Sequence, residues 1–412
     1  MKYVISNQVI LSRAPEGPLA AHLGSFTDFI SAQGYALCSI RQQVRLAAGF
    51  SRWLKQKGIE RHRISSDHPK QYLRYRARHL QPYTGDAATL RHLIDFLRGE
   101  GVISAEKVLV RRLTPAECCT QVYEQYLREE RALAEATILY YVPFIRGFLE
   151  DRFGTGPVNL SRLCAQDVVK FVQRQALRLH RKRTKLMTSA LRSFLMYAHY
   201  RGEVVLDLAA AVPVVPNWSM PSIPRAISAN QAHQLLASID QRTAMGRRDY
   251  AILLLLARLG LRSSEVVFLE LDDSDWNTGT LNVRGKSGLR NEFPLPLEVG
   301  EAIAAYLQAG RPVSSSRRVF LRAKAPIRGF RGASGVGSIV RHALKRAGIA
   351  APTCGAHQFR HGLATEMLRQ GASLGEIGDV LGHRHPQTTT IYTKVDLEAL
   401  RTLAQPWPGG AR

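Results

Sequence analysis

Four prolines close together, Pro213, Pro216, Pro221 and Pro224, constrain this chain more than any other feature. Proline lacks a backbone N–H and pushes the residue before it out of the helical region, so no helix crosses this stretch. Residues 206–227 are therefore read as an extended, Pro-rich linker. The two sides of it carry different patterns. Before it, apolar residues recur at helical period in 26–54, 123–153 and 165–179, with little of the alternation that marks strands, and everything there reads as helical. A lesser break lies near residues 104–115, between a helical stretch ending at Leu97 and another starting at about Pro115, a favourable first-turn proline. The expected domains are thus 1–105, 110–205 and, after the linker, 228–412. A chain of 412 residues is long enough for each to bury a core.

The two helical blocks resemble one another. Leu90-Arg91-His92-Leu93-Ile94-Asp95-Phe96 followed by Gly101 lines up with Leu191-Arg192-Ser193-Phe194-Leu195-Met196-Tyr197 followed by Gly202. Upstream, Ser39-Ile40 with Phe50 matches Thr137-Ile138 with Phe148. A duplicated helical module explains this, and so do two unrelated bundles with the same amphipathic period.

Beyond the linker the pattern changes. Residues 230–239 are amphipathic, with Ser228 as N-cap, and 248–259 form a nearly all-apolar helix that must lie in a core. Residues 280–284 alternate like a strand, the turn Gly285-Lys286-Ser287-Gly288 follows, and 290–295 return as a second strand. Helical patterns resume over 297–308, 337–347, 357–370, 374–381 and about 388–392. This last third is mostly α with one small antiparallel sheet.

Charge narrows the function. The 57 Lys+Arg against 33 Asp+Glu leave a net charge of +24, in a chain whose 45% hydrophobic fraction is that of a globular protein. Such a surplus calls for a polyanionic partner, nucleic acid or a membrane surface. The residues 1–12 lack a signal-like apolar core, and the longest apolar run, 251–257, is too short to span a bilayer. The five cysteines are odd in number and lack C-x-x-C spacing, which points away from a disulfide framework or zinc site. A reducing cytoplasm fits.

Polar residues in the last third sit where packing would not place them. Arg262 follows Gly260-Leu261 at the end of the most apolar helix, and Glu265 lies one helical turn on; a helix-terminal arginine with a local ion pair is the plain alternative. Lys286 at a hairpin tip is, alone, an ordinary turn lysine. His357-Gln358-Phe359-Arg360-His361 places His357 and Arg360 on one helical face near an N-terminus. His357 and His361 also have metal-pair spacing, but lack the glutamate of H-E-x-x-H and a recognisable third ligand. Leu381-Gly382-His383 ends a helix, and Tyr392 follows three consecutive threonines.

In this order Arg262, Lys286, His357, Arg360, His383 and Tyr392 resemble the tyrosine recombinases, the phage-integrase family. Gly260–Val266 looks like the family's first box, Lys286 its hairpin lysine, His357–His361 its H-x-L-R-H box with Phe359 in the leucine position, Leu381–His383 its L-G-H box and Tyr392 its nucleophile. The likeness covers about residues 228–400, and more weakly 115–205, which resembles the core-binding domain.

The resemblance implies a mainly α fold with a small antiparallel β-sheet in the C-terminal catalytic domain, helical N-terminal core-binding domains, and a C-shaped clamp on DNA. It implies a site-specific DNA recombinase of the transposon or integrative-element type, supporting integration, excision or transposition. A single-duplex type IB topoisomerase, a telomere resolvase and a non-catalytic DNA-binding accessory protein are the alternatives. Tyr392 is expected to form a 3′-phosphotyrosine and free a 5′-hydroxyl, which makes the break reversible without water or energy input. Arg262 and Arg360 would hold the phosphate oxygens bidentately, and Lys286 would protonate the leaving oxygen. His357 would exchange a proton with the tyrosine or hold the phosphate, His383 would bond the phosphate, and Glu265 would orient His357 or an arginine. The chemistry needs no metal and no cofactor. The basic runs Arg174, Arg178, Arg181, Lys182, Arg183, Lys185 and Arg41, Arg45 are expected DNA contacts. The partners implied are double-stranded DNA recombination sites and a homotetramer on two of them, with related recombinases as further partners, no membrane, and a bacterial cytoplasm with nucleoid association when bound. Residues 397–403 read as an amphipathic helix that docks in cis or on a neighbouring protomer.

Overall fold

The chain begins with strands, not helix. In the structure, a computed structural model that describes residues 3–6, 9–104, 113–215, 226–285, 290–351, 353–383 and 385–395, β1 (Tyr3–Ser6) pairs antiparallel with β2 (Val9–Leu11). Val9 and Leu11 are buried on either side of exposed Ile10. Three residues of alternation are too few to stand out against the helical pattern that follows, which is why this pair escapes a reading by period.

Two compact units make up the chain, Met1–Glu106 with Ser222–Arg412 as one and Lys107–Pro221 as the other. In the first, α1 (Leu23–Ala32), α2 (Leu37–Gln56), α3 (Asp67–Arg76) and α4 (Asp86–Gly99) enclose a core with Phe26, Phe50, Trp53, Leu90 and Phe96. Phe26 and Phe96 rings meet at 5.7 Å between α1 and α4. Asp86, buried at the start of α4, takes an ion pair from Arg76 of α3 and the Tyr83 N–H at 3.2 Å, so its charge is satisfied. This block meets the C-terminal part of the same unit directly. The Ile327 N–H donates to the Gln33 carbonyl at 2.9 Å. At Gly34, with φ 78°, a Cβ would stand 2.5 Å from Ile327 Cγ1, so only glycine permits both the turn and the approach.

The C-terminal part is built on α10 (Ala244–Arg258), which follows α9 (Ala229–Ala237). Leu253, Leu254, Leu255 and Leu256 are all fully buried, each stabilising by about 1.5–3 kcal/mol relative to exposure. Such an all-round apolar helix has to be central. Ser228 caps α9, accepting the Gln231 N–H at 3.2 Å. After α11 (Ser263–Phe268), a sheet of order β3-β4-β5 is formed by Ser274–Asp275, Thr280–Arg284 and Arg290–Pro294, one strand more than the predicted hairpin. β4 and β5 pair from Thr280↔Pro294 to Arg284↔Arg290. Lys286 lies between these ends and outside the described residues. Helices α12 (Leu297–Ala309), α13 (Ser334–Arg346), α14 (His357–Arg369), α15 (Leu374–Val380) and the short α16 (Pro386–Thr389) follow, and a 3-10 turn Thr390–Val395 carries Tyr392. The expected 397–403 helix is likewise outside the described residues.

The other unit packs α5 (Pro115–Glu129), α6 (Glu135–Phe153), α7 (Ala165–Ala176) and α8 (Arg181–Tyr200) around Tyr123, Phe148, Phe171, Leu191 and Phe194. Thr114 and Glu117 form a reciprocal capping box ahead of Pro115, at 3.2 and 2.9 Å, which fixes where α5 starts. The first part of the proline-punctuated stretch is packed, not extended. Leu208, Ala209 and Val212 are buried in this core, and Arg192 donates to the Val212 and Pro213 carbonyls at 2.9 and 3.1 Å. The apolar residues ahead of Pro213 draw the first part of the stretch into this core. The aligned positions of the two helical blocks behave alike: Leu90 and Leu191, and Phe50 and Phe148, are buried, while Gly101 and Gly202 end their helices at φ 68° and 72°.

Candidate active site

The site is assembled by one buried arginine. Arg360, on the first turn of α14 and only 2% exposed, donates through Nη1 to the Gly260 carbonyl at 2.8 Å and through Nη2 to the Leu381 carbonyl. Those carbonyls belong to two other boxes, one before α11 and one after α15, so the planar fork of Arg360 joins three sequence-distant segments. Both joined turns need glycine. Gly260, φ 59°, brings its Cα so close to α14 and the end of α15 that a Cβ would lie 3.0 Å from Leu363 and from Leu381. Gly382, φ 58°, sits against β5, where a Cβ would be 2.5 Å from Asn291 Nδ2. That contact brings β5 up to the L-G-H turn.

Arg262 is the more accessible arginine. Glu265, buried, grips it twice, with Oε1 on Nη1 at 2.6 Å and Oε2 on its backbone N–H at 2.7 Å. Of the two roles expected for Glu265, the structure selects the arginine, not His357. The carboxylate both caps α11 and locks the guanidinium.

Tyr392 is 1% exposed and packs with Ala364, Ile377 and Leu381. Its hydroxyl lies 3.1 Å from Nδ1 of His361, and the rings meet edge-on at 5.6 Å. His361 is thus the histidine on the tyrosine, the place the sequence reading expected for His357. The i, i+4 spacing of His357 and His361 puts both rings on one face of α14. His357 stacks edge-on against His361 at 4.4 Å and feels the charges of Arg360 and Arg262. His383 Nδ1 is 2.7 Å from the hydroxyl of buried Thr389 on α16. Arg262, Glu265, His357, Arg360, His361, His383 and Tyr392 therefore come together; Lys286 lies outside the described residues.

Positive charge is concentrated here, and Glu265 is engaged by Arg262. Burial, then the neighbouring Arg262, brings the Arg360 guanidinium down to about 10, still charged at neutral pH. Burial lowers His361 to about 4, helped by His357 and Arg360, and lowers His383 to about 4, helped by Arg360 and Arg262. His357 is lowered for the same reasons, burial first. Burial raises Tyr392, with Arg360 and Arg262 pulling the other way. All three histidines are neutral acceptors or donors at pH 7, and the phenol holds its proton.

The sign of the resulting pH dependence follows. Between the ordinary histidine value of 6.5 and the folded value of about 4 the unfolded chain binds more protons than the native one. Stability is full above 6.5 and is lost progressively as pH falls towards 4. Melting temperatures measured from pH 7 to 4 should therefore fall, and His361→Gln or His383→Gln should flatten the fall. An unchanged slope in both variants would contradict it.

The expected DNA contacts lie elsewhere. Arg174 lies in the last turn of α7, where it pairs with Asp151, and Arg178, Arg181, Lys182, Arg183 and Lys185 are exposed around the α7–α8 junction, Arg183 lying 5.9 Å over the Phe144 ring. Arg41 and Arg45 are exposed on α2.

Residues 225–398 match the phage integrase family, and residues 121–202 match the phage integrase N-terminal SAM-like domain. "Putative integrase/recombinase y4rA" of Sinorhizobium fredii is 58% identical over 412 residues, all of both chains. Tyrosine recombinase XerD of Mycobacterium tuberculosis is 30% identical over 311 residues, 70% of this chain and 96% of its own. The solved XerH site-specific recombinase, bound to palindromic difH in a post-cleavage complex, shares the fold, with a TM-score of 0.56 at 18% identity over 76% of this chain and 94% of its own. A chain whose Arg360 fork closes three boxes around a buried tyrosine, and which matches a putative integrase/recombinase over its whole length and a tyrosine recombinase over 70% of it, belongs to the tyrosine recombinases of the phage integrase family, DNA strand transferases that carry out site-specific recombination through a covalent tyrosine intermediate.

Proposed function

We propose that Tyr392 is the residue that carries the DNA strand, and that Arg262, Lys286, His357, Arg360 and His383 serve its reaction. The observation that carries the reading is the junction at Arg360, which gathers both arginines, the histidines and a phenol around one point. In the forward step the Tyr392 oxygen bonds to phosphorus and the P–O5′ bond breaks. The phenol proton passes to His361 Nδ1, and the leaving 5′ oxygen takes a proton from Lys286. A resting His361 is a weak base, but an incoming phosphodiester adds negative charge beside it and raises its proton affinity. Arg262 and Arg360 supply fixed positive charge where the transition state gathers negative charge. The reverse step, with a 5′-hydroxyl of another strand, restores the phenol.

Exchange between two duplexes cuts four strands, and each chain brings one Tyr392, so four copies on two DNA sites complete the reaction. The exposed basic residues at the α7–α8 junction and Arg41 and Arg45 of α2 are suited to phosphate contacts that fix position without reading sequence. The matched burial in the two helical blocks supports a duplicated module, and the exposed Arg41 and Arg45 support residues 1–105 as a second DNA-contacting module in addition to the 110–205 block. No helix of the described residues is long and apolar enough to cross a membrane; work on the nucleoid in a bacterial cytoplasm follows from a DNA substrate.

Trapping the protein on a nicked duplex from its own flanking DNA, followed by peptide mapping of the adduct, tests this. The expected adduct is a 3′-phosphate on the peptide containing Tyr392. Attachment at another residue, or through a 5′-phosphate, would overturn the assignment.

A further inference from the structure

Where the N-terminal helices meet the C-terminal part of their unit, a cleft of about 480 Å³ opens between α2, α4 and the segment 326–331. Its walls bring Arg91 and His92 of α4 opposite Arg328 and Arg331, with Tyr35 beside them. The segment is firmly anchored. Ile327 bonds Gln33, the Arg322 N–H donates to the Arg328 carbonyl at 2.9 Å, and Phe330 lies under Arg248 at 5.4 Å, whose guanidinium is held by Asp249 at 2.6 Å and the Leu321 carbonyl at 3.0 Å.

Among the described residues the lining arginines Arg91, Arg328 and Arg331 form no ion pair, nor does Arg322 next to Arg328, and the buried Nε of Arg328 has no hydrogen-bond partner. Of the carboxylates on the wall, Asp86 is engaged by Arg76, and Asp95 acts on His92. Burial, then Arg331 and Arg322, lowers the Arg328 guanidinium. A half-buried guanidinium beside two others, with one buried and unused donor, gains from an anion in the space, and the arginine fork suits a phosphate. The rigid backbone fixes these donors in advance.

The geometry points to a second phosphate-binding site in this cleft, separate from the Arg360 centre, that takes a phosphodiester of the DNA backbone. It goes beyond the catalytic assignment and rests on it only for the source of the phosphate, since a free phosphate or nucleotide has the same chemistry. A backbone contact here makes the N-terminal block and the segment 326–331 grip the duplex together, far along the chain from the α7–α8 run.

The full chain and its Arg328→Gln/Arg331→Gln double variant, with Arg91→Gln on the opposite wall as an exposed substitution that leaves packing intact, are compared by fluorescence anisotropy on a short duplex of arbitrary sequence over a salt series. A thermal-shift titration with inorganic phosphate runs beside it. Expected for the double variant is about tenfold weaker duplex binding near 0.1 M salt and a log–log salt slope smaller by roughly 1–2; Arg91→Gln should move the same way. Loss of the phosphate-induced thermal shift with duplex binding unchanged would assign the site to free phosphate and overturn the backbone assignment. Unchanged behaviour of both variants in both assays would remove the site altogether. Neither readout involves cleavage, so a failure of the Tyr392 assignment would leave these results standing.

Discussion

Tyr392→Phe should abolish covalent attachment of the protein to DNA while leaving the protein folded and able to bind. Phenylalanine keeps the ring that packs on Ala364, Ile377 and Leu381 and removes only the hydroxyl that meets His361 at 3.1 Å. The lost hydrogen bond costs about 1 kcal/mol, a few degrees of melting temperature at most. The chemistry loses its nucleophile, and no neighbouring side chain can replace it: His361 is tied to the same spot, and the arginines cannot form a phosphoester. A fall of strand attachment by about 10⁴-fold or more is expected. Gel-resolved covalent complex on a nicked substrate is the measurement, with anisotropy as the binding control. Attachment above a tenth of the parent level in the variant would mean another residue carries the strand.

Arg360→Lys should damage both activity and the fold. Arg360 stitches the Gly260 and Leu381 turns together from a position 2% exposed to solvent. A lysine keeps the charge but cannot donate in two directions from a planar fork, so one carbonyl is left buried and unpaired. About 2–4 kcal/mol of stability should be lost, together with at least about 10³-fold in strand cleavage. Arg262→Lys supplies the contrast. Arg262 has its side chain 31% exposed and is held mainly by Glu265, so cleavage should drop comparably with stability almost unchanged. Denaturant unfolding next to single-turnover cleavage separates the two. Equal stability losses would show that Arg360 is not the structural clasp.

The identities of the chemical groups were readable because each carries its own short context. Glycine before Arg262, the histidine and arginine spacing in 357–361, and Leu-Gly-His ahead of a threonine-flanked tyrosine each leave a mark within a few residues. Helix starts were equally local: Ser228 and Thr114 cap through side chains three residues away. What failed was of a different kind. The β1–β2 pair is too short to show a period, and Leu208 and Val212 are held by a core that also draws on residues as distant in sequence as Tyr123 and Phe148. His361 was visible only as the partner of His357, because which of two histidines one turn apart faces a tyrosine 31 positions on depends on how α14 is rolled against the 3-10 turn.

The sequence by itself determined the reaction class, the order of the boxes and the mostly helical fold, since these depend on residue type and on spacing within one or two turns. The tertiary structure decided which group does what to which. Glu265 holds Arg262, His361 meets Tyr392, Arg360 unites turns 100 and 21 residues away, and the cationic cleft at 326–331 exists only because the N-terminal helices dock there. The physical reason is range. Propensity and capping act along the chain, whereas hydrogen bonds between buried forks and carbonyls, and the desolvation that moves proton affinities, act through space and have no counterpart in a linear pattern.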